Sequence, residues 1–347
     1  MSLLVDIYKD FGSFKLRSAF ENEGGILGLL GPSGSGKSLT LQCIAGIVKP
    51  DRGKIILDGI PLFDSEQKIN LLPQQRRIGY LFQTYALFPH KTVRGNILCG
   101  LHREKDHKKR EEKLQEIIAL LQLQGLEEHR PAQLSGGQRQ RTALARILVG
   151  EPRLLMLDEP FSALDGYLRE QLQVQMKALL QHFGKSVLMV THDRDEAYRL
   201  CDKIALFDEG TILVKEEIHT LFADPGSRQA ALLTGCKNVV PAKKAGRCEV
   251  SIPSWGVHFT TARPVQDNLC AIGIRAHSFS PEVLQNSFPI CVTGKIEEPF
   301  EYIVQFRFVR QETGEADIWW RFPKAKKAPE SPSQLGVAPE DILLLYK

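Results

Sequence analysis

The sequence predicts an α/β fold with a largely parallel sheet, followed by a second, all-β domain. Over residues 1–235, short β-rich runs alternate with helical stretches. Residues 89–150 are almost entirely helical in character, which predicts a helical subdomain inserted into the α/β core. Over residues 236–347 the pattern changes to an alternation of period two, which predicts a small β-barrel.

Short segments of the first domain predict its elements in order. Gly24–Leu30 is predicted to be a buried strand, followed by a glycine-rich loop and a helix over about Lys37–Ile47. Leu154–Leu157 and Ser186–Val190 are apolar runs of the kind found in the central strands of parallel sheets. Residues 111–124 show helical spacing, and their predicted apolar face consists of Leu114, Ile117, Ile118 and Leu121.

The second domain shows its period of two in several places. Turn residues such as Pro253, Gly256 and Gly294 separate the alternating runs. Because alternate side chains of a strand point to the same face, each run predicts a strand with one buried face. The apolar positions that alternate are Val250 and Ile252, Val257 and Phe259, and Tyr302, Val304, Phe306 and Phe308.

Composition is that of an ordinary globular protein. The chain has 347 residues, of which 43% are hydrophobic and 25% charged, and this length favours two domains. No apolar stretch approaches the roughly 18 residues that a membrane-spanning helix needs. The first residues, Leu3–Ile7, resemble a short strand rather than a signal peptide. The sequence therefore predicts neither a membrane span nor secretion.

Charge and cysteine usage narrow the classes of partner. The net charge is +4, and the densest charged run, His102–Lys113, mixes both signs, as on a solvated helix face. Because no basic block occurs, nucleic acid is not an expected partner. The seven cysteines include no C-x-x-C pair, which favours buried thiols in a reducing cytosol over zinc sites or disulfides.

A phosphate-binding loop is the first motif that carries chemistry. Gly31–Ser38 (GPSGSGKS) fits the pattern G-x-x-x-x-G-K-[ST] and lies between a predicted strand and a predicted helix. The glycines let backbone N–H groups surround phosphates, and the N-terminus of the helix favours negative charge. Lys37 would neutralise the β- and γ-phosphates, and the Ser38 hydroxyl would bind Mg²⁺. The motif predicts ATP and Mg²⁺ as bound groups.

An acidic pair follows a second predicted strand. Arg153–Pro160 (RLLMLDEP) is an apolar run that ends in two carboxylates. Asp158 would hold Mg²⁺ through water. Glu159 would polarise or deprotonate the attacking water beside the γ-phosphate. Together with the phosphate-binding loop, this pair predicts ATP hydrolysis.

A third motif carries a resemblance to a known family. Leu134–Gln138 (LSGGQ), followed by Arg139–Arg141 and a helical run, is the signature of ATP-binding cassette proteins, and the chain resembles that family. Ser135 can cap a helix whose paired glycines let N–H groups approach a phosphate. The resemblance implies that this end contacts the γ-phosphate bound by a second copy of the chain, so that hydrolysis needs a homodimer.

Further positions match other marks of the family. Gln83 matches the Q-loop glutamine that reaches Mg²⁺ and the attacking water, and His192 matches the switch histidine that hydrogen-bonds the γ-phosphate. Ser162–Asp165 matches the D-loop at the dimer interface. Phe11, with Tyr8 close by, lies where the family places an aromatic ring against adenine.

The resemblance implies three sets of site residues. The catalytic set is Glu159, His192, Gln83 and Lys37. The metal set is Ser38, Gln83 and Asp158. The nucleotide-binding set is Phe11, Gly31, Pro32, Ser33, Gly34, Ser35, Gly36, Lys37, Ser38, Leu39, Ser135, Gly136, Gly137, Gln138 and Asp165.

The resemblance also implies a transport role. A free cassette with a C-terminal β domain is similar to the ATPase subunits of bacterial-type importers, which lie peripherally on the cytoplasmic face of the membrane. Residues 72–83 and 87–97 resemble molybdate importer ATPases in particular, and this implies an oxyanion cargo such as molybdate, tungstate or sulfate. In the family, the surface after the Q-loop receives the permease, so Tyr85, Leu87 and Phe88 are candidate docking residues.

Several alternatives stay open at this point. Importers of sugars, polyamines or iron use nearly the same cassette, and a soluble ATP-dependent regulator without a permease is a reading from another class. Gly273–His277 resembles small oxyanion-associated barrel domains, but the Ser-Ala-Arg-Asn-type stretch of the molybdate-binding version is absent. The second domain is therefore either an anion sensor or a structural, dimer-stabilising part.

Overall fold

The computed structural model describes residues 2–162, 166–312, 314–324 and 332–347, with the side chains of 166–168 left aside. The chain divides into two compact units, Met1–Ile218 and His219–Lys347. The sequence places the domain boundary later, after residue 235, where the period of two begins. The two boundaries differ because two short helices before residue 235 lie almost entirely in the second unit. The boundary after residue 235 stays a prediction.

The elements of the first unit alternate between strands and helices over much of its length. Its strands are β1 (Leu3–Asp10), β2 (Lys15–Asn22), β3 (Ile26–Leu30), β4 (Arg52–Leu57), β5 (Ile60–Asp64), β6 (Ile69–Asn70), β7 (Ile78–Leu81), β8 (Leu154–Asp158), β9 (Ser186–Thr191), β10 (Lys203–Asp208) and β11 (Thr211–Glu217). Its helices are α1 (Lys37–Ala45), α2 (Val93–Gly100), α3 (His107–Leu120), α4 (Gly136–Leu148), α5 (Gly166–Phe183) and α6 (Arg194–Leu200), and α7 (Ile218–Ala223) begins at its last residue.

One sheet organises the first unit, in the order β6-β5-β4-β1-β2-β11-β10-β3-β9-β8-β7. The five strands β10, β3, β9, β8 and β7 run parallel to one another, whereas β1, β2, β4, β5 and β6 pair antiparallel. Every residue of β3, β8 and β9 is buried, as expected for strands covered on both faces. The prediction of an α/β fold is confirmed, whereas the predicted largely parallel sheet is parallel only over the five strands from β10 to β7.

The parallel register aligns the ends of four neighbouring strands. Leu30 of β3 pairs with Thr191 of β9, Asp158 of β8 pairs with Val190 of β9, and Leu81 of β7 pairs with Leu157 of β8. Ligands of open parallel sheets bind at the carboxyl ends of the strands, because the loops that follow meet at one edge. The segments after β3, β7, β8 and β9 therefore share a single edge of the sheet.

Helices α2, α3 and α4 occupy the region for which a helical subdomain was predicted. The predicted face of α3 is confirmed, since Leu114, Ile117 and Ile118 are buried, as is Leu121 at its end. Asp106 caps α3 by accepting hydrogen bonds from the backbone nitrogens of Lys108 (2.9 Å) and Lys109 (3.4 Å). These helices form between β7 and β8, two strands that are adjacent in the sheet.

The second unit is rich in β-structure. It contains helix α8 (Arg228–Leu233) and strands β12 (Asn238–Pro241), β13 (Lys243–Gly246), β14 (Glu249–Ile252), β15 (Val257–Thr260), β16 (Leu269–Ile274), β17 (Phe279–Ser280), β18 (Phe288–Glu297), β19 (Glu301–Phe308), β20 (Ile318–Pro323), β21 (Gln334–Val337) and β22 (Ile342–Tyr346). Among the described residues they form sheets β12-β16-β22, β13-β14-β15 and β17-β21-β18-β19-β20.

An aromatic core holds the second unit together. Phe306 and Phe308 are 0% and 2% exposed, and their rings lie 5.6 Å apart in an edge-to-face arrangement. Trp255 packs on Phe308 at 5.7 Å between ring centroids. The predicted alternation is confirmed for Val250, Ile252, Val257, Phe259, Val304, Phe306 and Phe308, which are all buried. Tyr302, the remaining predicted position, is only partly buried.

Arg275, in the segment that resembles oxyanion-associated domains, hydrogen-bonds backbone carbonyl groups of the second unit. Its guanidinium donates to the carbonyl oxygens of Thr234 (3.1 Å) and Phe222, which lie at the ends of α8 and α7. A cation at the C-terminal end of a helix satisfies carbonyls that have no partner within the helix. The structure thus gives Arg275 a structural task within this unit.

Two expectations from composition can be compared with the structure. The seven cysteines are free thiols, and Cys43, Cys201 and Cys236 are buried. Burial raises the pKa of the Cys43 thiol to about 12, so that thiol stays protonated at neutral pH. None of the helices in the described part of the chain is both long and apolar enough to span a bilayer.

Candidate functional site

The phosphate-binding loop lies between β3 and α1, as predicted. Gly36 is the N-cap of α1, with a φ of 102° in the region that favours glycine, and it offers no side chain to cap the helix. A Cβ on Gly31 would collide with the carbonyl oxygen of Phe207. The first turn of α1 therefore directs uncapped N–H groups outward, which is the arrangement that binds phosphate.

Lys37 is held inside this loop. Its Nζ donates to the carbonyl oxygens of Gly31 (2.9 Å) and Pro32 (2.7 Å) and lies 3.3 Å from Ser35 Oγ. The residue is 4% exposed. Burial lowers the pKa of Lys37, while the carboxylates of Glu159 and Asp158 act in the opposite direction. The ammonium group is thus placed within the loop and near both carboxylates.

Asp158 lies at the end of β8 and uses both carboxylate oxygens. Ser38 Oγ donates to Oδ1 at 2.7 Å, and the phenol of Tyr80 donates to Oδ2 at 2.8 Å. Burial, and then the charge of Asp158, raises the pKa of Tyr80, so the phenol keeps its proton at neutral pH. The structure joins two predicted metal residues, Ser38 and Asp158, through a direct hydrogen bond.

Glu159 lies where β8 turns away from the sheet. Its φ of 45° is in the left-handed region, which is strained for a residue with a side chain, and its backbone nitrogen donates to Val190 O at 3.0 Å. His192 Nδ1 lies 3.2 Å from Oε1, and Gln83 Nε2 lies 3.4 Å from Oε2. Two predicted catalytic residues, His192 and Gln83, therefore lie beside the carboxylate of a third, Glu159.

Ser162 links two of these groups. Its hydroxyl donates to the backbone oxygen of Glu159 at 3.0 Å and lies 3.3 Å from Gln83 Nε2. The remainder of the predicted D-loop, including Asp165, lies outside the described residues. Gln83 does not reach Asp158 through any hydrogen bond of the described residues; its contacts are with Glu159 and Ser162.

An open cleft lies beside the loop. Its volume is 570 Å³, and it is lined by residues 12–15, residues 32–35, Asp208 and Glu209. Phe11, next to this lining, is 40% exposed, and its ring lies 6.4 Å from that of Phe14. An exposed aromatic face of this kind can stack on a planar base. Because Phe14 is partly buried against the core, Phe11 offers the freer ring of the two.

The signature segment begins helix α4. As predicted, Ser135 is the N-cap: its hydroxyl accepts from the backbone nitrogen of Gln138 (3.3 Å), and Gln138 Oε1 accepts from the Ser135 nitrogen (2.9 Å). Within the described residues, no hydrogen bond joins this segment to the phosphate-binding loop. The structure thus brings together the loop, the acidic pair, Gln83 and His192, and leaves the signature apart.

The predicted docking residues differ in exposure. Tyr85 is 6% exposed, and its hydroxyl lies 3.4 Å from the carbonyl oxygen of Pro160, so the prediction that Tyr85 is a surface contact is corrected by its burial. Leu87 is half-buried. Phe88 is 41% exposed, and the Arg146 guanidinium lies 5.4 Å from its ring centroid. Phe88 also lines a groove of 710 Å³ between the β7 segment, α2 and the end of α4.

The sequence analysis did not predict two residues, Tyr80 and Arg146, that form contacts between distant segments. Tyr80 reaches Asp158, which is 78 residues later in the chain. Arg146 donates to the carbonyl oxygens of Ala86 (2.7 Å) and Tyr85 (3.0 Å) and so fixes the segment before Phe88. No local pattern of the sequence signals the contact of Tyr80 with Asp158, which arises from the pairing of β7 with β8.

Comparisons with known proteins agree with this geometry. The profile of the family described as ABC transporter matches residues 18–162. The probable sulfate/thiosulfate import ATP-binding protein CysA of Chlorella vulgaris is 44% identical over 218 residues, which is 61% of this chain and 90% of that protein. The molybdate/tungstate import ATP-binding protein WtpC of Pyrococcus horikoshii is 36% identical over 286 residues, or 79% and 81% of the two chains.

The chain belongs to the ABC transporter family. Among further family members, the molybdenum import ATP-binding protein ModC of Paramagnetospirillum magneticum is 39% identical over 65% of this chain, and the match spans 61% of that protein's length. The ATP-binding cassette MJ0796, solved as a dimer in a post-hydrolysis state bound to ADP and Pi, matches with a TM-score of 0.53 and 30% identity, over 63% of this chain and 99% of that one. The fold of ABC cassettes is thereby confirmed for the first unit.

Proposed function

We propose that this chain is the ATP-hydrolysing subunit of an importer that takes up an oxyanion. The observation that carries the proposal is the meeting of Lys37, Asp158, Glu159 and His192 where β3, β8 and β9 end. Membership of the ABC transporter family, in which the cassette MJ0796 is bound to ADP and Pi, supports the same conclusion.

Ser38 and Asp158 fit the metal that such a reaction needs. A hydroxyl and a carboxylate oxygen 2.7 Å apart are hard oxygen ligands, which Mg²⁺ prefers together with phosphate oxygens and water. Mg²⁺, when bound, would supply positive charge to the phosphate oxygens. The assignment of Gln83 to the metal also belongs to this proposal, although its contacts are with Glu159 and Ser162.

The phosphate-binding loop would hold the nucleotide. Residues 31–39 supply backbone N–H groups, and the Lys37 ammonium would exchange its bonds with the carbonyl oxygens of Gly31 and Pro32 for bonds with phosphate. Phe11 would stack on the adenine through its exposed face. In this arrangement the triphosphate lies along the first turn of α1.

Glu159 would act as the general base for the attacking water. Its carboxylate lies between His192 and Gln83, which fix the direction of both oxygens. A base must lie within hydrogen-bond reach of the proton that it accepts, and Glu159 follows β8 at the sheet edge that also carries the phosphate-binding loop after β3. His192 would then hydrogen-bond the γ-phosphate through its exposed side.

A second copy of the chain would complete each site. At the start of α4, the backbone N–H groups of Ser135 and Gln138 are bonded within the cap, and no hydrogen bond of the described residues occupies those of Gly136 and Gly137. Because residues 135–138 have no hydrogen bond to the loop of their own chain among the described residues, these two N–H groups suit the γ-phosphate held by the partner. Asp165 is assigned to the same interface by the family resemblance. We infer a homodimer in which two ATP molecules lie between the loop of one chain and the signature of the other.

The groove lined by Phe88 is the proposed docking site for a membrane permease. It combines the exposed ring of Phe88 and the half-buried ring of Phe82 with the cations Arg77, Arg103 and Arg146. Aromatic and arginine side chains are the types enriched where protein partners bind. Docking here would place the chain peripherally on the cytoplasmic face of the membrane, with Leu87 at the margin of the contact.

Relatives with different named cargoes define the oxyanion class. Molybdenum, molybdate/tungstate and sulfate/thiosulfate import proteins match this chain at 36–44% identity. We propose molybdate or tungstate as the cargo, on the resemblance of residues 72–97. Sulfate is the second candidate, favoured by the 44% identity to the Chlorella vulgaris protein.

The test is reconstitution of the chain with its permease in lipid vesicles. ATP hydrolysis is measured with binding proteins loaded with molybdate, tungstate or sulfate. Stimulation by molybdate or tungstate alone supports the proposed cargo, and stimulation by sulfate alone supports the second candidate. Equal stimulation by all three, or stimulation by none of them, with basal ATPase intact, would move the cargo to sugars, polyamines or iron. Failure to associate with any permease would favour a soluble regulator.

A further inference from the structure

We propose that Tyr80 is a positioning residue that fixes the carboxylate of Asp158 for the metal. This inference rests on the proposed function, in which Asp158 holds Mg²⁺. The phenol of Tyr80 donates to Asp158 Oδ2 at 2.8 Å, while Ser38 donates to Oδ1 at 2.7 Å. Each oxygen of the carboxylate therefore has its own donor from a different segment.

The two donors restrain the carboxylate in different ways. A carboxylate bonded through one oxygen can still rotate about its terminal side-chain torsion, which is broad. Bonds to both oxygens from two separate donors restrain that rotation. Ser38 is itself assigned to the metal, so its hydroxyl must serve two partners, whereas the hydroxyl of Tyr80 hydrogen-bonds only Asp158 among the described residues.

Tyr80 is well placed for this task because its ring is held. The ring stacks on Phe82 with centroids 4.2 Å apart and planes inclined by 32°. It also packs against the buried core of the first unit. The backbone on both sides is fixed by parallel pairing, with Tyr80 opposite Met156, two residues before Asp158. Strand pairing thus sets the position of the phenol relative to the carboxylate.

Tyr80 contacts both the carboxylate of Asp158 and a groove on the surface. Tyr80 and Phe82 both line the groove that also contains Phe88. A substitution that keeps the ring leaves this groove wall in place and removes the hydroxyl alone. Tyr80→Phe is therefore the variant that separates positioning of Asp158 from packing and from the groove.

The experiment measures binding rather than turnover. The dissociation constant of the full-length chain for the non-hydrolysable analogue AMP-PNP is determined by calorimetry, once with Mg²⁺ and once with EDTA. The ratio of the two constants is the gain that the metal contributes. For Tyr80→Phe we expect the constant in EDTA to match wild type and the Mg²⁺-dependent gain to fall by about tenfold, the usual effect of losing a group that orients a metal ligand.

Two other variants make the result decisive. Tyr302→Phe removes a phenol in the second unit, where the ring contacts Lys295 and Lys324, and its Mg²⁺-dependent gain should equal that of wild type. Asp158→Asn should abolish the gain. If Asp158→Asn keeps the gain, the proposed metal site itself is wrong.

Two outcomes would overturn the role of Tyr80 while leaving the metal site intact. One is a Tyr80→Phe variant with the wild-type gain, when Asp158→Asn has lost it. The other is an equal weakening of AMP-PNP binding with Mg²⁺ and with EDTA, which would show that the hydroxyl supports the fold of the loop. The melting temperature of each variant in EDTA is also measured and compared with that of wild type.

Discussion

At the scale of single residues, the site is organised around two adjacent carboxylates with different surroundings. Asp158 is 8% exposed and bonded by two hydroxyl groups, whereas Glu159 is partly exposed and lies between an imidazole and an amide. Hydroxyl donors fix a carboxylate in a chosen orientation. An imidazole and an amide beside a carboxylate leave it open to water, as a general base requires.

The different roles of these carboxylates predict the behaviour of Glu159→Gln. Loss of the base should lower the rate of phosphate release by about a thousandfold, within the range that general base catalysis supplies. ATP binding should be unchanged, because the loop and Asp158 remain. With MgATP the variant should persist as a dimer, detected by light scattering after size-exclusion chromatography.

The control for this variant is Glu216→Gln, which neutralises an exposed carboxylate on β11 of the same sheet. Its phosphate release should equal that of wild type. Normal turnover by Glu159→Gln would contradict the assignment of the base and with it the proposed mechanism.

A third carboxylate, Glu196, predicts a pH dependence of stability. Glu196 is 4% exposed, and its carboxylate accepts from the Thr191 hydroxyl at 2.8 Å. Burial raises the pKa of Glu196; Thr191 lowers it, the charge of Asp193 raises it further, and Arg169 and His192 lower it. Because the folded-state pKa is raised, the contribution to stability is complete below the unfolded value of about 4.5 and is lost as the pH rises through the folded-state pKa.

Glu196→Gln removes this titration. The difference in melting temperature between the variant and wild type should grow from pH 5 to pH 8, by about 2–4 °C if the buried charge costs about 1 kcal/mol in a unit of this size. Asp195→Asn, at a side chain that is 69% exposed on the same helix, is the control and should show no such trend. A difference that is constant with pH would show that Glu196 does not titrate in this range.

At the scale of elements, two helices of the helical region begin with comparable caps. Asp106 caps α3 through the backbone nitrogens of Lys108 and Lys109, and Ser135 caps α4 through that of Gln138. Loss of such a cap costs about 1 kcal/mol of stability. The two caps differ in the proposed function, since only Ser135 faces the nucleotide of a partner chain.

Alanine substitution at each cap therefore separates the effect on unfolding stability from the effect on ATPase activity. Ser135→Ala and Asp106→Ala should both unfold about 1 kcal/mol more easily in urea. Only Ser135→Ala should lose ATPase activity, by about tenfold or more, because it also loses a donor to the transferred phosphate. Equal ATPase losses in the two variants would show that the signature acts through helix stability alone.

At the scale of the whole molecule, the proposed site is divided between the phosphate-binding loop and the signature, which share no hydrogen bond within the described part of the chain. Lys37 lies in the loop beside Asp158 and Glu159, and Ser135 begins α4 without a hydrogen bond to that loop among the described residues. A dimer resolves this separation if each site takes its loop from one chain and its signature from the other.

Mixing two inactive chains tests this arrangement directly. Lys37→Ala damages the loop and Ser135→Ala the signature, so in a mixed dimer both changes fall in one site and the other site is intact. Steady-state ATPase of an equal mixture should rise toward about one quarter of wild type, because half of the dimers are mixed and each keeps one of two sites. An average of the two separate rates, with no gain on mixing, would contradict sites shared between chains.

The sequence by itself determined the family and the fold class, and it predicted most residues of the candidate site. The phosphate-binding loop, the acidic pair and the signature each need their groups on consecutive residues, because backbone N–H groups must converge on one phosphate. Such motifs can therefore be recognised from the amino-acid sequence alone. The buried strands β3, β8 and β9 were likewise predictable, since strands covered on both faces must be continuously apolar.

The tertiary structure alone decided which distant residues touch. Tyr80 meets Asp158, and Gln83 meets Glu159, across separations of 78 and 76 residues, because α2, α3 and α4 form between two strands that then pair side by side. The burial of Tyr85 depends on the same return of the chain, since its hydroxyl lies against Pro160. No local pattern encodes these contacts: they arise from the parallel pairing of β7 with β8, which brings both strand ends to one edge of the sheet.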